Sequence, residues 1–228
     1  MKAARDTTTT PSVIRTPDSR ASQTGPLIAY LAALAAVAGV PLHLYWALGG
    51  TWGYPGGAAA AGLPGLRAVN LVVSALLACG AVYLYGLTRP WARRRPALLV
   101  LAPVWAAAVV CVSHGLFGIA TKSLYLAGLK SAVSWPEHDL TAGQKNLAAL
   151  HDLVIFEPWF LVLGFLLALA GRWFAGPAVS RRWTLSLVAA IVLIDAFGAA
   201  LALTHHRFAV ALPTGLAVSA AWPARWPS

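Results

Sequence analysis

Five apolar stretches, each long enough to cross a bilayer, dominate this chain of 228 residues: 26–49, 68–87, 97–120, 151–171 and 184–204. An α-helix rises about 1.5 Å per residue and the hydrocarbon is about 30 Å thick, so roughly 20 mostly apolar residues form a span. Apolar residues run around the whole circumference of each segment, which is not the single stripe of a water-exposed amphipathic helix. Ala and Leu predominate and the two-residue alternation of a barrel strand is absent, so helices are expected. The expected fold is all-α, a polytopic transmembrane helix bundle of about five spans. Composition agrees: 59% of residues are apolar and 11% are charged, against about 25% charged in soluble domains. That balance excludes a disordered chain, a disulfide scaffold and a conventional soluble enzyme.

Basic residues set the expected orientation, because they are retained on the cytoplasmic side. With the N-terminus cytoplasmic, eleven of the 17 lysines and arginines fall inside, among them Arg89, Arg93, Arg94, Arg95, Arg172, Arg181 and Arg182. Six fall outside: Arg67, Lys122, Lys130, Lys145, Arg207 and Arg225. The net charge of +10 then reflects anchoring to anionic lipid head groups, and no nucleic-acid motif accompanies it. The expected location is the bacterial inner (cytoplasmic) membrane, multi-pass, with membrane lipids as partners.

Residues 1–25 are polar, with Thr7 to Thr10 in a row, and read as a disordered cytoplasmic tail. A cleaved signal peptide is not expected, since the first apolar stretch is too long and lacks a small-residue cleavage site. Thr141 and Gln144 have capping-box spacing, which suggests a short helix leading into the fourth span. Residues 207–228 are expected as an outer-face tail, its apolar part 208–222 being too short to span and broken by Pro213. Cys79 and Cys111 form no C-x-x-C pair and read as small apolar residues.

Ionisable side chains at membrane depth cost about 2.5–3.5 kcal/mol each, so they usually face a partner or a cavity. Four stand out: His43, His114, Glu157 and Asp195, one in each of spans one, three, four and five. Counted from the span ends, the first three lie at one level, roughly 9 Å below the outer surface, with Asp195 roughly 13–14 Å down. His151, Asp152, His205 and His206 ring the rim above them. At 100° per residue, small or aromatic neighbours share each face: Gly39 and Trp46 with His43, Cys111 and Gly118 with His114, Gly198 and Ala202 with Asp195. Pro41, Pro103 and Pro158 interrupt their spans, and a kinked fourth helix running through Glu157 is expected. The imidazoles either hydrogen-bond across helices for structure or line an outward-facing polar cavity. Asp195 either pairs with His206 or an outer arginine, or joins that cavity. No H-x-x-x-H or H-E-x-x-H spacing supports a metal, and no cofactor is expected. Trp52, Trp91, Trp173 and Trp183 sit at span ends as interfacial belts, whereas Trp46 and Trp159 lie beside polar residues.

The end of span one reads His43-Leu44-Tyr45-Trp46-Ala47-Leu48-Gly49-Gly50-Thr51-Trp52-Gly53. It resembles the H-x-Y-W-A-L-G-G-x-W-G pattern of an uncharacterised family of small bacterial integral membrane proteins, defined as a domain of unknown function. The later segment with Glu157-Pro158-Trp159 is similar to that family's last span. The resemblance implies importance for His43, Tyr45, Trp46 and Trp52 and supplies no activity. It does not extend to Asp195, because such proteins are shorter and often four-spanning. Physically, Gly49 and Gly50 can end the helix through left-handed backbone, and Tyr45 and Trp46 place amphipathic rings at the interface.

Three functions follow as expectations. The first is binding of a lipid or small apolar ligand, or a partner, in the outer polar cavity, with Tyr45, Trp46, Trp159, Asp152 and His206 as binding residues. The second is an intramembrane isomerase or cyclase acting on an isoprenoid or other lipid. Its candidate catalytic residues are Glu157 or Asp195 as proton donor and His43 or His114 as acceptor, with Trp46 or Trp159 steadying a carbocation. The third is a proton-coupled transporter using Asp195. Oligomeric state leaves no signature.

Overall fold

The computed structural model describes residues 19–53, 64–133, 135 and 140–203. The helices are α1 (Ser19–Ala47), α2 (Pro64–Leu87), α3 (Ala97–Leu126), α4 (Ala142–His151), α5 (Glu157–Ala175) and α6 (Pro177–Leu203). Short 3-10 turns at Ala92–Arg94 and Lys130–Ala132 lie in the connections, and a π-helical turn, Asp152–Phe156, joins α4 to α5. No strand occurs among the described residues. Among the described residues, five helical stretches are long and apolar enough to cross a membrane: Thr24–Ala47, Gly65–Leu87, Ala97–Leu126, Ala142–Ala175 and Val179–Leu201. The fourth combines α4, the π turn and α5. The fold is therefore an all-α, multi-pass membrane bundle. Its outer surface is greasy, with Leu34, Val82, Leu98 and Leu193 all exposed, and such a surface is stable only against lipid.

Helix α1 begins at Ser19, inside the stretch expected as tail, while residues 1–18 and the expected tail 207–228 lie outside the described residues. The capping box forms: the Thr141 hydroxyl accepts from the Gln144 backbone N–H, and the Gln144 side chain accepts from the Thr141 N–H at 2.9 Å. This satisfies the first orphan donors of α4. Helix α3 runs on to Leu126, past the expected end at residue 120.

The core is built where small residues let helices approach. Ala29, Ala32 and Ala36 give α1 one buried face at helical spacing, met by Leu84 and Leu87 of α2 and Leu163 and Leu167 of α5. Helices α3 and α5 cross closely because Gly115 and Gly164 carry no side chain. A Cβ on residue 115 would sit 2.7 Å from Leu161 Cγ, and one on residue 164 would sit 2.6 Å from Val112 Cγ2. Helix α6 docks through Trp183, whose ring covers Gly171 and whose indole donates to the Ala168 carbonyl at 3.2 Å.

The packing order matters for the site. Helix α2 lies along α1, and α5 packs against both α1 and α3, whereas neither α1 nor α2 packs along α3. The α1–α2 pair and α3 therefore meet mainly through α5, with a gap between their backbones. Tyr83 of α2 crosses it at one end, donating its hydroxyl to the Val100 carbonyl at 2.9 Å.

Candidate functional site

The π turn is the local event that creates the polar cluster. Pro158 has no N–H, and its ring would crowd a carbonyl one turn earlier in a regular helix. The chain widens instead: the Glu157 N–H bonds to the Asp152 carbonyl, five residues back. The helix does run through Glu157, and it accommodates Pro158 by an extra residue in one turn, a form that recurs at functional sites. In a regular helix Asp152 and Glu157 would point about 140° apart. Here both reach the same ammonium group. Lys122 Nζ lies 2.9 Å from Asp152 Oδ2 and 3.6 Å from Glu157 Oε1.

The other Glu157 oxygen, Oε2, lies 3.5 Å from His114 Nε2 and has no hydrogen-bond partner among the described residues. The Glu157 side chain is only 4% exposed and the His114 side chain 53% exposed. The imidazole therefore stands between the buried carboxylate and the surroundings of the bundle. Its ring leans on Phe160 with centroids 4.1 Å apart, and Phe160 meets Trp159 edge to face at 4.8 Å. Gly118 makes the arrangement possible, since the Glu157 carboxyl occupies the space a side chain there would take.

On the α1–α2 side, His43 Nδ1 is 2.9 Å from Asn70 Oδ1. Asn70 Nδ2 donates to the Leu66 carbonyl at 2.9 Å, which turns the amide oxygen toward the imidazole. Nδ1 of His43 therefore carries the proton in the neutral ring, leaving Nε2 as the basic nitrogen. His43 is within electrostatic range of His114. It meets Trp46 edge-on at 5.3 Å, and Trp46 meets Phe156 of the π turn at 5.3 Å. An aromatic bridge thus ties α1 to the turn that positions Asp152 and Glu157.

Of the expected residues, His114 and Glu157 meet, Asp152 reaches the same lysine as Glu157, and His43 bonds instead to Asn70 while remaining within electrostatic range of His114. Asp195 does not join them. It sits on α6 with its side chain interacting with Ser113 of α3, and it makes no ion pair among the described residues. His205 and His206 lie outside the described residues. Tyr45 and Trp46 are occupied by their own loop: the Tyr45 hydroxyl accepts from the Thr51 and Trp52 N–H groups at 3.2 and 3.3 Å, and the Trp46 indole donates to the Trp52 carbonyl at 2.7 Å. Gly49 (φ 97°) and Gly53 (φ 73°) supply the left-handed backbone this turn needs. Trp159 packs on Gly39, so it braces α1 against α5. Among the described residues no three His, Cys, Asp or Glu side chains form a metal-binding group.

Lys122 and Asn70 were not singled out by the sequence. Lys122 lies two helical turns beyond His114 on the face that includes Gly118, a relation visible only once α3 is known to continue past residue 120. Asn70 is uncharged, so a search for ionisable groups passes over it.

A family described as protein of unknown function (DUF3995) matches residues 34–167, more than half of the chain. The match includes His43, Asn70, His114, Lys122, Asp152 and Glu157 and ends before Asp195. No curated protein and no solved structure matches the chain.

Proposed function

The chain belongs to the DUF3995 family, and for it we propose a binding role: the groove between the α1–α2 pair and α3 holds a lipid or another small apolar ligand by a polar head. The observation that carries this reading is the pairing of a buried Glu157, one oxygen unpartnered, with a His114 that stays half open. A purely structural ion pair gains most when every lone pair is satisfied. A carboxylate with an acceptor to spare beside an accessible imidazole is suited to receive a donor from outside. The apolar walls on either side suit an acyl or isoprenoid chain.

The basic residues fit a bacterial inner membrane with the site toward the outside. Arg89, Arg93, Arg94, Arg95, Arg172, Arg181 and Arg182 belong to the helix ends opposite the cluster. Arg93 stacks over Trp173 and Arg89 over Tyr85, which is how a cytoplasmic belt is anchored.

Native mass spectrometry of protein released from its own membrane tests the binding role. Wild type and Asp195→Asn should carry a small-molecule adduct that His114→Ala and Glu157→Gln lose at equal membrane abundance. No adduct on wild type, or the same adduct on all four, would contradict it.

A second reading is favoured by the 3.5 Å approach of His114 to Glu157: an acid–base pair that isomerises or cyclises an isoprenoid or related lipid. Comparing lipid extracts with and without the gene tests this, and unchanged isoprenoid pools would count against it.

A further inference from the structure

We infer that the polar head held in this groove is a protonated amine, its nitrogen seated at the exposed His114 edge and drawn by Glu157 Oε2 behind it. This rests on the binding role above and adds the chemical class of the ligand.

Charge is the first argument. The described residues contain three carboxylates, Asp152, Glu157 and Asp195, and two of them share the single ammonium of Lys122. That ammonium is drawn toward Asp152, at 2.9 Å, and stands off Glu157 at 3.6 Å. With Glu157 ionised and His114 uncharged, the cluster of Asp152, Glu157 and Lys122 holds one more negative charge than positive. A phosphate or carboxylate head would add a third negative group beside one cation, and like charges brought together in an interface repel.

Hydrogen-bond bookkeeping points the same way. Glu157 Oε2 is buried with no hydrogen-bond partner among the described residues, and a buried acceptor left unmade carries the full desolvation penalty of the group. An ammonium offers three donors and no acceptor, which complements a carboxylate oxygen and the imidazole lone pair together. A hydroxyl head offers one donor and leaves the charge uncompensated. The rings add to this preference, since Phe160 lies against His114 and Trp159 against Phe160, and aromatic faces attract a desolvated cation. The apolar tail would lie along the lipid-facing groove.

Thermal unfolding in a nonionic detergent, with dodecylamine, dodecanol or dodecanoate added at neutral pH, tests the inference. Dodecylamine should raise the Tm of wild type and of Asp195→Asn. In Glu157→Gln and His114→Phe its apparent affinity should fall at least tenfold, about 1.4 kcal/mol. Neither dodecanol nor dodecanoate should stabilise any of the four. Because the Gln and Phe replacements keep the shape of the groove, their unliganded Tm reports separately on folding. An equal amine effect in wild type and Glu157→Gln would mean a micelle effect and overturn the inference. A Glu157-dependent shift with dodecanol or dodecanoate would overturn the amine class while leaving the binding role intact. An adduct on wild type in native mass spectrometry, with no response to dodecylamine, would do the same.

Discussion

The carboxyl group of Glu157 fills the volume that a side chain on residue 118 would need, so Gly118 on α3 and Glu157 on α5 are two halves of one fit. The glycine lets the helices cross closely and leaves a slot into which the carboxylate folds, toward Lys122 and His114. Replacing Gly118 by alanine should therefore destabilise the bundle by about 1–3 kcal/mol, the usual range for overpacking a filled site. Combining Gly118→Ala with Glu157→Ala should recover part of that loss. Unfolding measured in mild detergent with increasing denaturing detergent tests this, and additive losses would separate the two residues.

Lys122 holds two carboxylates that the π turn has brought to one side. Its replacement by methionine strands both, Glu157 in a nearly dry setting. Removing one partner of a buried ion pair costs about 3–5 kcal/mol, and Lys122→Met should lose an amount toward the lower end, since Asp152 remains partly exposed. Adding Asp152→Asn and Glu157→Gln should restore most of it. A triple variant no more stable than Lys122→Met would show that the lysine acts through packing of its stem.

The legibility of the chain divides along physical lines. Segment length and all-round hydrophobicity are properties of the sequence itself, so the five spans and the helical class could be read directly. His43, His114 and Glu157 were visible because charge in hydrocarbon is rare enough to stand out. Asp195 met the same criterion and went elsewhere, since depth along an axis says nothing about which side of the bundle a helix presents. Lys122 escaped notice because helix ends are soft in sequence, and two further turns of α3 convert a loop lysine into a site residue. The π turn has one visible signal, Pro158 directly after Glu157, but a proline's ring and missing donor do not specify whether a turn widens.

Tyr45 and Trp46 hold the turn at residues 48–53 onto the end of α1, and the prediction follows from their partners. Tyr45→Phe should expose the Thr51 and Trp52 amides to faster hydrogen exchange, and Trp46→Phe should cost about 1 kcal/mol for its lost hydrogen bond. Tyr45→Phe should leave ligand adducts unchanged. An adduct lost in Tyr45→Phe while the exchange rates stay at wild-type values would make the phenol a ligand contact.

Asn70 fixes which nitrogen of His43 carries the proton. Nitrogen-15 chemical shifts of the His43 ring should report the Nδ1–H tautomer in wild type and a mixture, or the Nε2–H form, in Asn70→Leu. The same tautomer in both proteins would show that the amide is a passive neighbour.

A map of the protein in lipid nanodiscs at side-chain resolution tests the central claim most directly. The account predicts an elongated non-protein density between the α1–α2 pair and α3, with its compact end against His114 and Glu157, and its absence in Glu157→Gln. A groove closed by direct contact of α1 or α2 with α3, or Glu157 and His114 turned to separate sides of the bundle, would contradict it.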